Sequence, residues 1–192
     1  VDDLPEFGDY TLRGNNEKNG RTYWYFDQPV SYEFGYGLSY TSFEYSDFAI
    51  SKKEITPYDK VTVSTYITNT GTRDGDEIVQ VYLVTPGAEN RERPIKRLKG
   101  FKRVTIPAGQ TKRVNIEIDC ADLWYWDEED QRITFDQGNY TFEVGASSLD
   151  TRGTVEAEMK GQFRETVETV VAESDKMILK PGETARTRVS AT

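Results

Sequence analysis

Chemistry in this chain would have to come from carboxylates, because histidine is absent and cysteine occurs once, at Cys120. Without histidine there is no ordinary general base near neutral pH, no imidazole ligand for zinc, and no third member for a serine or cysteine triad. A single thiol makes no internal disulfide and no thiolate cluster. Cys120 therefore reads as a small buried or half-buried hydrophobe. Two acidic groups stand out: Asp127, Glu128, Glu129 and Asp130 run consecutively, and Asp74, Asp76 and Glu77 surround Gly75. Either could be a carboxylate pair or a calcium loop. The first lacks the glycine and the regular oxygen-ligand spacing of an EF-hand-type loop. Both read first as solvated turns and only second as metal sites, and no cofactor is implied.

Trp124 and Trp126 stand two residues apart. Exposed together, they would form a platform for the apolar faces of pyranose rings; the alternative packs one into a core and the other against a neighbouring domain. Arg91, Arg93, Lys96, Arg97, Lys99, Lys102 and Arg103 form a basic stretch in a chain with 24 Lys and Arg against 33 Asp and Glu, a net charge of -9. That balance repels phosphate backbones and anionic lipid headgroups, so neither nucleic acid nor a membrane surface is an expected partner. The stretch reads instead as an interdomain ion-pair surface. No run of about 18 apolar residues could span a bilayer, and the N-terminal VDDLPEFGDY lacks the pattern of a signal peptide.

The elements that must position these groups are strands. Twelve Tyr, nine Phe and three Trp are mixed with Thr and Val, and seven Pro and 15 Gly punctuate them. Val61, Val63, Thr65 and Ile67 alternate before the turn signal NTGTRDG at 69–75. Residues 78–84 (IVQVYLV) are apolar on both sides of the pleat, as a central strand would be. Leu98 to Ile106, Val114 to Ile118, an LWYW strand from Leu123 and Tyr140 to Val144 follow at similar spacing. About seven strands at this spacing predict an all-β, immunoglobulin-like antiparallel sandwich. Its expected core includes Val61, Val63, Val79, Val81, Val114, Ile116, Tyr140, Phe142 and Val144.

The flanks differ. Tyr23, Trp24, Tyr25 and Phe26 are consecutive large aromatics, which cannot all face one side of a half-buried strand. They read as an element cut from a preceding domain or packed against one, expected to leave an apolar patch on the outside of the sandwich. Residues 31–45 (SYEFGYGLSYTSFEY), with Gly35 and Gly37 between aromatics, read as a connector with a tight bend. Residues 164–192 carry two β-branched runs around a KPGE turn at 180–183. Val167, Val170 and Val171 also fit a helical spacing, but the Thr and Val density favours strand.

GRTYWYF followed by FGYGLSYTSFEYS resembles the junction between the second domain and the fibronectin type III-like domain of family 3 glycoside hydrolases. QVYLVTP at 80–86, RPIKRLKGFKRVTIPAGQT at 93–111, LWYWD at 123–127 and GNYTFEVGASSLD at 138–150 continue the resemblance in order. Glu33 stands where that family usually has Pro, which should loosen the opening turn, and Trp24 stands where a basic residue is common, which implies a different contact with the preceding domain.

The resemblance implies four segments: 1–30, a remnant of the preceding catalytic domain; 31–45, the connector; 46–163, the fibronectin type III-like domain; and 164–192, the start of a further β-rich, immunoglobulin-like module. It also implies a parent enzyme that is a retaining hydrolase of β-linked sugars, such as a β-glucosidase or β-xylosidase. Such enzymes need a nucleophilic and an acid/base carboxyl about 5–5.5 Å apart. Neither of the family's motifs for them is present, so this chain is expected to be a non-catalytic accessory domain buttressing the catalytic domains of its own polypeptide. A secreted or periplasmic setting is expected, with truncation at both ends of the chain. The alternatives are a module that binds β-linked oligosaccharide and a self-standing adhesion-type sandwich. For contact with sugar or with a neighbouring domain the candidates are Trp24, Tyr36, Trp124 and Trp126.

Overall fold

The computed structural model describes residues 7, 8, 10, 12, 13, 20–90, 93–127, 129–162, 170–174 and 187–191. They fall into two units, divided after Gln162. The first is a sandwich of ten strands: β1 (Phe43–Ile50), β2 (Glu54–Ile55), β3 (Lys60–Asn69), β4 (Gly75–Val84), β5 (Arg97–Ile106), β6 (Thr111–Asp119), β7 (Tyr125–Asp127), β8 (Arg132–Thr134), β9 (Gly138–Gly145) and β10 (Thr151–Met159). One sheet has the order β1-β3-β6 and the facing sheet β2-β10-β9-β4-β5, while β7 and β8 pair as a separate ribbon. This is the expected all-β, immunoglobulin-like sandwich.

Side-chain alternation explains the core. Val61, Val63 and Ile67 of β3 and Val114, Ile116 and Ile118 of β6 face Val79, Val81 and Leu83 of β4 and Tyr140, Phe142 and Val144 of β9. All nine core residues expected from the sequence are buried. Each such side chain contributes about 1.5–3 kcal/mol by leaving water.

Two local readings are corrected and two others are filled in. First, pairing is not wholly antiparallel, because β2 runs parallel to β10 through Glu54–Glu158 and Ile55–Met159. Second, the LWYW segment is not one strand. A 3-10 turn over Cys120–Leu123, capped by the Asp119 side chain accepting from the Ala121 amide at 3.0 Å, precedes β7.

Third, the aromatics at 23–26, whose element type their pattern leaves open, form a turn. The amides of Tyr25 and Phe26 both donate to the Thr22 carbonyl, at 2.9 and 2.8 Å. Turning lets four consecutive rings fan out, which an extended strand forbids. Fourth, the second covered face of β4 lies under the connector, where Gln80 and Tyr82 are buried opposite the core.

The second unit contains β11 (Val170–Ser174) and β12 (Thr187–Ala191), an antiparallel pair running from Val170–Ala191 to Ser174–Thr187. Strand over helix is the outcome there. Val167 and the KPGE turn at 180–183 lie outside the described residues, as do Arg91 and Glu128.

Candidate functional site

The connector is fixed to the outer face of the five-stranded sheet, and that attachment builds the most developed surface feature. Tyr23 stacks on Phe34 with ring centroids 4.3 Å apart and meets Tyr82 edge-on at 6.1 Å. Its hydroxyl accepts from the Leu98 amide at 3.1 Å, and the Trp24 carbonyl accepts from the Ile95 amide at 2.6 Å. Tyr25 is buried, while Tyr23, Trp24 and Phe26 are half-buried.

A polar network holds the next segment. The Gln80 side-chain amide donates to the Gly35 carbonyl at 3.0 Å and to the Ala146 carbonyl, while its oxygen accepts from the Tyr82 hydroxyl at 2.5 Å. Burial pushes the Tyr82 phenol above its ordinary range, which keeps it a donor. The Ser148 amide donates to the Phe34 carbonyl at 2.9 Å. Gly35 has φ +82°, and a Cβ there would lie 2.1 Å from the Gln80 side-chain oxygen, so only glycine fits. The expected loosening at Glu33 is not seen. Its carboxylate accepts from the Ser147 hydroxyl at 2.7 Å and its carbonyl from the Tyr36 amide at 3.1 Å, so the turn is tied at both ends.

Beyond these anchors the connector is apolar and open. Val30, Tyr32, Phe34, Tyr36, Leu38 and Tyr40, every second residue, are between 45% and 94% exposed. A groove of about 630 Å³ lies beside them, with Tyr23, Phe26, Val30, Phe34 and Leu149 among its lining residues.

The four candidate contact residues do not converge. Trp24 is half-buried in the aromatic turn, and Tyr36 is exposed and packs on Tyr32 at 5.1 Å. Trp124 and Trp126 are 38% and 48% exposed, and no ring stacking joins them among the described residues. Trp126 sits on β7 opposite the exposed Ile133 of β8. The ribbon is braced by Arg93, which binds Asp136 through two nitrogens at 2.8 and 2.9 Å and lies 3.3 Å over the Tyr125 ring.

Of the acidic groups, Asp127 opens a turn and Asp74 precedes β4, whereas Asp76 and Glu77, expected in a turn, lie on β4 itself. Asp127 accepts from the amides of Glu129 and Asp130 at 3.0 and 3.2 Å. Asp74 accepts from the Ala108 amide, Asp76 pairs with Arg103, and Glu77 accepts from the Tyr45 hydroxyl. Much of the basic stretch is engaged inside the domain, while Lys102 and Arg103 are exposed. Lys96 pairs with Glu143, Arg97 donates to the Trp124 and Leu123 carbonyls, and Lys99 donates to the Asp122 carbonyl. Cys120 is fully buried, and burial pushes its thiol up to about 11. The Gln80 network was not anticipated, yet a signal existed: a glutamine inside a run apolar on both faces must find partners.

Residues 77–148 match the family model of the fibronectin type III-like domain. A xylan 1,4-β-xylosidase from Xylanibacter ruminicola is 37% identical over 147 residues, 77% of this chain and 16% of that protein. A periplasmic β-glucosidase from Salmonella typhimurium is 39% identical over 139 residues, 72% of this chain and 17% of that protein. The crystal structure of a family 3 β-glucosidase from Bifidobacterium adolescentis aligns with a TM-score of 0.61 at 33% identity, covering 69% of this chain and 19% of that one. The chain thus spans less than a fifth of the length of each of these proteins.

Proposed function

We propose that this chain, which carries a fibronectin type III-like domain of the kind found in family 3 glycoside hydrolases, is a non-catalytic accessory domain that buttresses the catalytic domains of a retaining β-glycosidase. The observation that carries this reading is the connector: it is fixed to the sandwich by part-buried hydrogen bonds, while Val30 just before it and its own Tyr32, Phe34, Tyr36, Leu38 and Tyr40 remain between 45% and 94% exposed. Scattered exposed apolar residues are ordinary; a continuous series on an ordered segment marks an interface. The partner is the catalytic part of the same polypeptide.

The chemistry supports catalytic silence. Retaining hydrolysis needs two carboxyls facing one sugar, whereas Asp74, Asp76, Glu77 and Asp127 each serve a local hydrogen bond or ion pair. Relatives named for a xyloside and for a glucoside share this domain, which supports sugar selection lying elsewhere. Net charge of -9 disfavours nucleic acid and anionic membranes as partners. Among the described residues no helix is long and apolar enough to cross a membrane. A secreted or periplasmic location is supported by the periplasmic name of one relative.

The test is hydrolysis of aryl β-glucosides and β-xylosides. The chain alone is expected to give no turnover and the intact parent polypeptide to give it. Turnover by the repurified chain that falls when one of its carboxylates is replaced would overturn the reading. Exposure of Trp126 favours a second reading, stacking on β-linked oligosaccharide. Retardation of the chain in a gel containing xylan or β-glucan, lost in Trp126→Ala, would support it.

A further inference from the structure

The groove beside the connector is concave and aromatic-lined, and several of its polar side chains are already engaged within the chain. Glu33 accepts from the Ser147 hydroxyl, Lys96 pairs with Glu143, and Asp27 accepts from the Gln28 side-chain amide at 2.8 Å. A sugar would bring several hydroxyls into this space, each needing a partner once desolvated. An apolar side chain needs none. The stacked Tyr23 and Phe34 line it together with Val30 and Leu149, which are 45% and 67% exposed.

We propose that this groove is the socket for an aliphatic or aromatic anchor side chain carried by the catalytic part of the same polypeptide; the proposal rests on the buttress reading. Val30, Tyr32 and Phe34 belong both to the groove and to the exposed connector series, so the socket is continuous with that interface. Its lining combines these aromatic and aliphatic side chains with the charged Arg21, Asp27, Glu33 and Lys96, the mixture of aromatic anchors and polar groups that interface hot spots show. The volume of about 630 Å³ leaves room for a large side chain and part of the segment that bears it.

Titration of this chain into the separately produced catalytic part of its parent tests the proposal. Leu149→Arg places a charge in the socket wall at an exposed position, and an unchanged melting temperature of the free chain shows that its fold survives. Leu38→Arg alters the connector outside the groove. Leu149→Arg is expected to weaken binding at least tenfold and Leu149→Met to leave it within about twofold. If Leu38→Arg weakens binding while Leu149→Arg does not, the socket is overturned and the buttress reading stands. If the wild-type chain does not bind, both fall. Cellobiose or xylobiose shifting the Tyr23 and Phe34 ring signals in NMR would make the groove a sugar site and overturn the socket.

Discussion

Asn69 has no exposed surface, yet its side chain makes every hydrogen bond an amide can make. The nitrogen donates to the Arg73 and Ile106 carbonyls, both at 2.8 Å, and the oxygen accepts from the Thr41 hydroxyl at 2.6 Å and the Gly71 amide at 3.1 Å. It joins the connector's end to the β3–β4 turn and the end of β5. Asn69→Ala leaves several buried groups unpaired, and a loss of about 2–4 kcal/mol is expected in urea unfolding. Asp59 gives the pH dependence. Hydrogen bonds from Lys52 first, and from Thr56, lower its carboxyl from 3.8 to about 2. A depressed carboxyl stabilises the fold above its unfolded value, and that contribution fades as pH falls from 3.8 toward 2. Because the group is partly solvated, the effect is on the order of 1 kcal/mol. Acid titration of Asp59→Asn should show a shallower loss of stability over that interval. The sequence marked Asn69 only as part of a turn signal; its partners Thr41 and Ile106 come from segments far along the chain and leave no local pattern.

At the scale of elements, alternation made β3, β6 and β9 readable, since each buries one face on the common core, and β4 was readable as a run apolar on both faces. The flanking elements were harder for physical reasons. β1 has a register shift between Ser46 and Ala49, with Asp47 at φ 54°, so its alternation breaks midway. β10 lines the core with Val155, Ala157 and Met159, a weaker apolar signal than the aromatic strands give. The aromatic turn at 23–26 could not be assigned from residue type, which does not reveal the shared Thr22 acceptor. The connector's attachment gives an element-level prediction. Gly35→Ala meets both a left-handed backbone and the Gln80 side chain, and is expected to cost about 1–3 kcal/mol. Amide exchange should quicken at Leu98 and Ser148, which bond the connector, while β3 and β6 stay protected. Val81→Ala should cost a similar amount through the core cavity but quicken exchange across both sheets.

For the whole molecule, the exposed connector series and groove make the free chain adhesive. Light scattering should show self-association that rises with concentration and is suppressed by the catalytic part of the parent polypeptide. The most direct test of the buttress is calorimetry of that intact polypeptide beside this chain alone. If the sandwich braces the catalytic domains through the connector, the two unfold in one coupled transition above the melting temperature of the free chain, and Leu38→Arg with Tyr40→Arg splits it in two. A separate sandwich transition in the intact polypeptide, at the temperature where the free chain melts, would contradict the account.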